Sequence, residues 1–145
     1  MASICHMFLF VTRCFIKVRN LFSFFRKFYV GLKNGFYKSY FENGQIDKAQ
    51  EICLEILKLE PKNFNILHLL GIIAFQNKNY LKSVEIITKA IEIKSDYPDA
   101  YNNLAIAFGH LNKFDDAIKC WDKAIKLNPN YAEAYNNRGN VLIKL

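Results

Sequence analysis

Few residues in this chain are placed to make or break a covalent bond. The four cysteines, Cys5, Cys14, Cys53 and Cys120, are scattered and form no CxxC pair. The histidines His6, His68 and His110 give neither an HExxH helix motif nor zinc-ligand spacing. The sequence has no glycine-rich phosphate loop and no GxSxG nucleophile turn. What it does repeat is a pair of side-chain amides: Asn102-Asn103 returns as Asn136-Asn137. An amide carries donors and an acceptor together, so it can pair with a peptide backbone whatever that peptide's side chains are. The chemistry these residues suit is binding. No catalytic, cofactor-holding or metal-ligating residue is expected.

The elements that carry the amides follow a fixed period. The chain has 145 residues, 52% hydrophobic and 23% charged, a globular composition of about one domain. Registers starting at Val30, Phe64, Pro98 and Ala132 align without insertion. The eighth place then holds Tyr37, Gly71, Ala105 and Gly139; the twentieth holds Ala49, Ser83 and Ala117; the twenty-seventh holds Ile56, Ala90 and Ala124. Cys53, Ile87 and Trp121 share the twenty-fourth place, and Pro61, Ser95 and Pro129 the thirty-second. In the third register Tyr101, Leu104, Ala105 and Phe108 form one helical stripe. Phe114, Ala117, Ile118, Trp121, Ala124 and Ile125 form a second. A turn at Asn112-Lys113 divides them, matched by Asn43-Gly44 and Asn77-Lys78. Each unit is thus a pair of antiparallel helices, brought close by small residues and ended by proline. One pair cannot bury its stripe alone, so neighbouring units must stack.

These residues name a family. The strings AYNNLAIAFGHLNKFDDAIKCWDKAIKLNPN and AEAYNNRGNVL resemble tetratricopeptide repeats, and the third unit fits all eight signature places by type. The first unit departs in its first helix, at Lys33, Phe36 and Tyr37, and the fourth places Arg138 at a core position. The resemblance implies an all-α fold, a right-handed solenoid of antiparallel helix pairs over residues 30–145. Its units are 30–63, 64–97, 98–131 and a partial 132–145, with an extra helix before them. Leu145 falls inside the fourth unit's first helix, so the expectation is a piece of a longer protein.

In this family the first helices line a concave groove, which places Asp99, Asn102, Asn103, His110, Asn136, Asn137 and Asn140 there, with His68 from the second unit. Asn103 and Asn137 match the asparagine ladder of O-linked N-acetylglucosamine transferases, to whose bacterial relatives the opening repeats are similar. The resemblance implies a scaffold that holds a peptide or partner protein, with no chemistry of its own. The alternative is a substrate-recruiting arm of a larger glycosyltransferase or sulfotransferase. A clamp for acidic chaperone tails is disfavoured, because its places hold Asn34, Lys38, Leu69, Asp99 and Asn103, and Asp99 repels a carboxylate.

The net charge of +7 belongs to one end. Arg13, Lys17, Arg19, Arg26, Lys27, Lys33 and Lys38 precede the first carboxylate, Glu42, after which the charges cancel. Nucleic acid is therefore not an expected partner of the repeats. Within residues 1–29, Phe8, Val11, Phe15, Val18, Phe22, Phe25 and Tyr29 step by three and four, a basic amphipathic helix. It could cap the array, lie weakly on a membrane surface or act as a targeting segment, and Met7 offers a later start. The expectation is a helix over residues 8–29 docked on the first repeat, in a cytoplasmic chain with membrane association through that helix as a further option.

Overall fold

The computed structural model describes residues 23–143, and all regular structure among them is helical. Helix α1 covers residues 23–42. It is followed by α2 (Ile46–Leu59), α3 (Phe64–Gln76), α4 (Tyr80–Ile93), α5 (Pro98–His110), α6 (Phe114–Leu127) and α7 (Ala132–Leu142). The second helices begin at 46, 80 and 114, and the first helices at 64, 98 and 132, so the sequence period is the structural period. The chain divides into two compact units, Met1–Ile52 and Cys53–Leu145, with the division inside α2.

In the second unit α3 packs on α4 and α5 on α6, while α4 meets α5 and α6 meets α7. One cluster joins Phe64, Leu67, Ile87, Ala90, Ala100 and Leu104; another joins Ala105, Ala117, Trp121, Ala124 and Ala134. The small places work as expected: Gly71, Ser83, Ala105 and Ala117 are all buried. Ser83 donates its hydroxyl hydrogen to the Gly71 carbonyl at 2.8 Å, which ties α4 to α3 at closest approach. Arg138 is half-exposed, its Nε 2.8 Å from Asp122 Oδ1 in an ionic rather than well-aligned contact.

The turns are closed alike in each repeat. Gln45, Asn79 and Lys113 donate their backbone N–H to Tyr40, Ala74 and Phe108 at 2.8, 2.9 and 3.0 Å, closing the helix end over a left-handed residue. That residue is Gly44, Lys78 or Asn112, with φ of 72°, 59° and 55°. Glycine adopts this conformation without the Cβ clash that lysine suffers. Lys78→Gly is therefore expected to stabilise the chain by ~0.5–1 kcal/mol. The check is a urea midpoint that rises at unchanged slope.

The N-terminal segment corrects the sequence reading. No break separates residue 29 from residue 30: α1 runs through both. Gly31 and Gly35 weaken helix propensity by about 1 kcal/mol each but remove no hydrogen bond, so they do not stop it. A segment that prolongs the first repeat helix cannot fold back onto it. Accordingly Phe25 and Tyr29 are 58% and 42% exposed rather than docked. Residues 8–22 of the expected helix lie outside the described residues. No helix among the described residues is long and apolar enough to cross a membrane.

Candidate functional site

The site is built by the first helices of three repeats, since α5 touches both α3 and α7. Phe64 at the start of α3 is set by Asn63, whose side chain accepts from the Ile66 N–H at 3.2 Å. Pro98 begins α5, where its missing N–H costs nothing. These starts fix the register of the side chains along each helix.

His68 lies half-buried among aromatic rings. Its imidazole stacks on Phe64 at 5.7 Å and meets the edge of Tyr97 at 5.5 Å. Asn103 Nδ2 lies 3.0 Å from its Nε2, so the amide donates to an unprotonated ring nitrogen. Burial pushes the imidazole below its ordinary value, outweighing the nearby Asp99 charge, which favours the cation. Burial, and next the Asp99 carboxylate, push the Tyr131 phenol up, and the same two causes raise Tyr97. His110 is exposed, stacked on Tyr80 at 4.6 Å and edge-on to Phe75 at 5.1 Å.

Asn102 departs from its expected role. It is 1% exposed, and its atoms face the interior. Its Oδ1 accepts from the Trp121 indole at 3.0 Å and from Asn137 Nδ2 at 3.4 Å, while its Nδ2 donates to Glu133 Oε1 at 3.1 Å. A buried indole N–H needs an acceptor, and Asn102 supplies it. No hydrogen-bonding capacity worth a ligand remains at that side chain. Asn102 is a structural residue.

The other amides stay at the surface. Asn103 and Asn137 are half-buried, Asn136 and Asn140 exposed. Asn103 reaches back to His68 and Asn137 to Asn102, the same step from one repeat to the preceding one. Beside them a cavity of about 340 Å³ opens between α5, α6 and α7. Ile106, Phe114, Trp121 and Val141 supply its apolar lining, and Gly109, His110, Asn137 and Asn140 complete it. A second space of about 50 Å³ lies among Ile72, Phe75, Ile87, Asn103 and Ile106. The arrangement offers amide pairing next to an apolar hole.

Trp121, Phe114 and Val141 are not among the site residues the sequence points to; Phe114 and Trp121 belong to a stripe that reads as core. Among the described residues no group of three or more His, Cys, Asp or Glu side chains could hold a metal ion. Cys53 and Cys120 are free thiols that burial pushes up to about 11, so they are poor nucleophiles at neutral pH.

Comparison with known proteins agrees with this geometry. Models of the tetratricopeptide repeat match residues 38–98, 98–131 and 120–145. A UDP-N-acetylglucosamine–peptide N-acetylglucosaminyltransferase of Caenorhabditis elegans is 31% identical over 77 residues, 53% of this chain and 7% of that protein. The chain therefore spans a small part of this relative's length. Among solved structures, the first repeat domain of Spaghetti (RPAP3) bound to the HSP90 peptide SRMEEVD is similar, with a TM-score of 0.75 at 21% identity. That match covers 79% of this chain and 91% of the domain. MamA gives a TM-score of 0.75 at 23% identity, covering 79% of this chain and 67% of its own. A Thermobaculum terrenum O-GlcNAc transferase gives 0.73 at 19% identity, covering 78% of this chain and 22% of its own. At these identities the structures show a shared fold. With three matches of one repeat type spanning residues 38–145 and helices that keep its period, the chain belongs to the tetratricopeptide repeat family.

Proposed function

We propose that the groove of α3, α5 and α7 holds an extended segment of a partner protein and performs no chemistry of its own. The observation that carries this reading is the pair Asn103 and Asn137, one repeat apart. Each spends one amide hydrogen within the fold and keeps its carbonyl oxygen for a ligand. The cavity bounded by Ile106, Trp121 and Val141 would take an apolar side chain of the same segment. Similar repeat domains bound to HSP90 and HSP70 peptides support peptide as the ligand class. The tails in those complexes are acidic, however, and Asp99 and Glu133 here disfavour such an end. The segment expected is neutral or basic, with an apolar anchor. The free thiols Cys53 and Cys120 suit a reducing, cytoplasmic setting.

The test is a panel of extended peptides bound to the chain and to Asn103→Ala/Asn137→Ala. The double variant is expected to weaken binding by ~1–3 kcal/mol, about 0.5–1.5 for each lost hydrogen-bonded amide. The same loss for every peptide, whatever its sequence, is the mark of backbone pairing. Because both amides also bond within the fold, thermal melts must show both proteins folded at the temperature used. Unchanged affinity would make the asparagines ordinary surface residues.

A second reading rests on the likeness to the Caenorhabditis elegans transferase. In it, the groove recruits protein substrates for a glycosyltransferase or sulfotransferase domain. Reading the coding sequence past Leu145 separates the two: a downstream catalytic domain supports recruitment, and a stop codon supports a scaffold.

A further inference from the structure

An aromatic face of α1 stands in water. At about 100° per residue, Phe25, Phe28, Tyr29, Leu32 and Phe36 fall within one arc of the helix. Their exposures run from 42% for Tyr29 to 58% for Phe25 and Phe28. Phe24, 63% exposed, widens the arc; its ring meets Phe25 edge-on and stacks on Phe28. The opposite side of α1 carries Val30 and Tyr37, which are buried. A helix of a globular domain needs one apolar stripe. This one has two, and the fold buries only one of them.

Cations occupy the borders between the two stripes. Arg26 and Lys33 lie along one border, Lys27 and Lys38 along the other. Lys33 Nζ stands 5.4 Å from the centre of the Tyr29 ring, which keeps its charge beside the aromatic face. No carboxylate occurs before Glu42.

We propose that this face lies on an anionic lipid surface, its aromatic side chains in the headgroup–acyl boundary and its cations against lipid phosphates. An apolar arc with cations on both borders is the layout of a helix lying in the interface plane. The long basic side chains bury their stems and carry their charges out to the headgroups. A second copy of this chain fits poorly, because pairing two such faces sets cation against cation. The same four cations hold α1 on the surface rather than across it. An exposed aromatic face of this size is otherwise a liability in water.

Co-sedimentation of the full chain with vesicles tests the proposal. One set is phosphatidylcholine alone, and the other contains about one-third phosphatidylserine. Binding is expected to be at least ~10-fold tighter to the anionic vesicles and to fall as salt rises. Phe25→Ser/Phe28→Ser and, separately, Arg26→Gln/Lys27→Gln are each expected to lose ~10-fold in binding. All four side chains are exposed, so the melting temperature should hold in both variants. Equal binding to neutral and anionic vesicles would overturn the proposal, as would wild-type affinity in either variant. A chain that ignores vesicles but forms a dimer or an acidic-partner complex that Phe25→Ser/Phe28→Ser dissociates would assign the face to protein instead.

Discussion

Trp121→Ala is expected to remove ~3–5 kcal/mol of stability, the range for a large aromatic lost from a core. Whole domains of this size are stable by about 5–15 kcal/mol, so the variant should sit near the edge of folding. Trp121 is 2% exposed and shares its cluster with Ala105, Ala117, Ala124 and Ala134. Those alanines have no side chain to swing into the space, so any refilling falls to larger neighbours such as Ile106 and Val141, and where in the range the cost lies measures how far they collapse. Trp121→Phe separates packing from hydrogen bonding. It keeps most of the apolar bulk but withdraws the indole donor from Asn102, at an expected cost of ~1–3 kcal/mol. Urea denaturation followed by far-UV circular dichroism measures both, since the chain has one tryptophan and the variants remove it. A wild-type midpoint for Trp121→Ala would mean that α6 does not pack as described.

Gly71→Ala is expected to destabilise by ~1–3 kcal/mol, against the usual direction for a helical glycine. A Cβ at Gly71 would overlap Ile87 Cγ1 and lie 3.2 Å from its Cδ1. Isoleucine is β-branched and holds one side-chain rotamer in a helix, so Cγ1 cannot turn aside. Ile87 is also 1% exposed, with no room to retreat, and α3 and α4 must separate instead. That movement strains the Ser83–Gly71 hydrogen bond as well. Gly109 and Gly139 provide the contrast, because a Cβ at either meets nothing within 4 Å. There alanine should stabilise by up to about 1 kcal/mol through helix propensity alone. Opposite shifts in melting temperature are the expected result. Combining Gly71→Ala with Ile87→Ala should recover part of the loss, a coupling that a double-mutant cycle reads directly. Melts that move the same way for all three glycines would refute the close approach.

The period was legible because it is written in residue size. Gly71, Ser83, Ala105 and Ala117 are small where two helices touch, and no other reason for small residues at that spacing competes. The helix ends were legible where Pro61 and Pro129 stand. They were less so at Ser95, where α4 nonetheless stops at Ile93, in step with α2 and α6. Gly44 announces its left-handed turn, whereas Lys78 reveals the same geometry only through its register with Gly44 and Asn112. The amides were half legible. Asn103 and Asn137 are half-buried and bond back one repeat alike, whereas Asn102 is claimed by Trp121, a residue 19 positions away. The tryptophan itself held the clue, since a core indole must find an acceptor. The continuity of α1 left no such mark: a repeat register that starts at Val30 says nothing about where the helix backbone begins.

The reach of the cross-repeat bonds also bears on how the chain folds. Asn103 and His68 are 35 residues apart, and Asn102 and Glu133 are 31. From α3 to α7, each helix packs only on its neighbour or the next but one. No contact therefore requires a long loop to be closed in advance, and loop closure grows more costly only slowly with length. Such low contact order belongs to chains that fold in microseconds to milliseconds. Order can begin at one helix hairpin, such as α5–α6, and spread outward one element at a time. Probes placed on α3 and on α7 should then lose their signals at different denaturant concentrations. A variant's midpoint is therefore set against the wild type's by the same probe on the same helix.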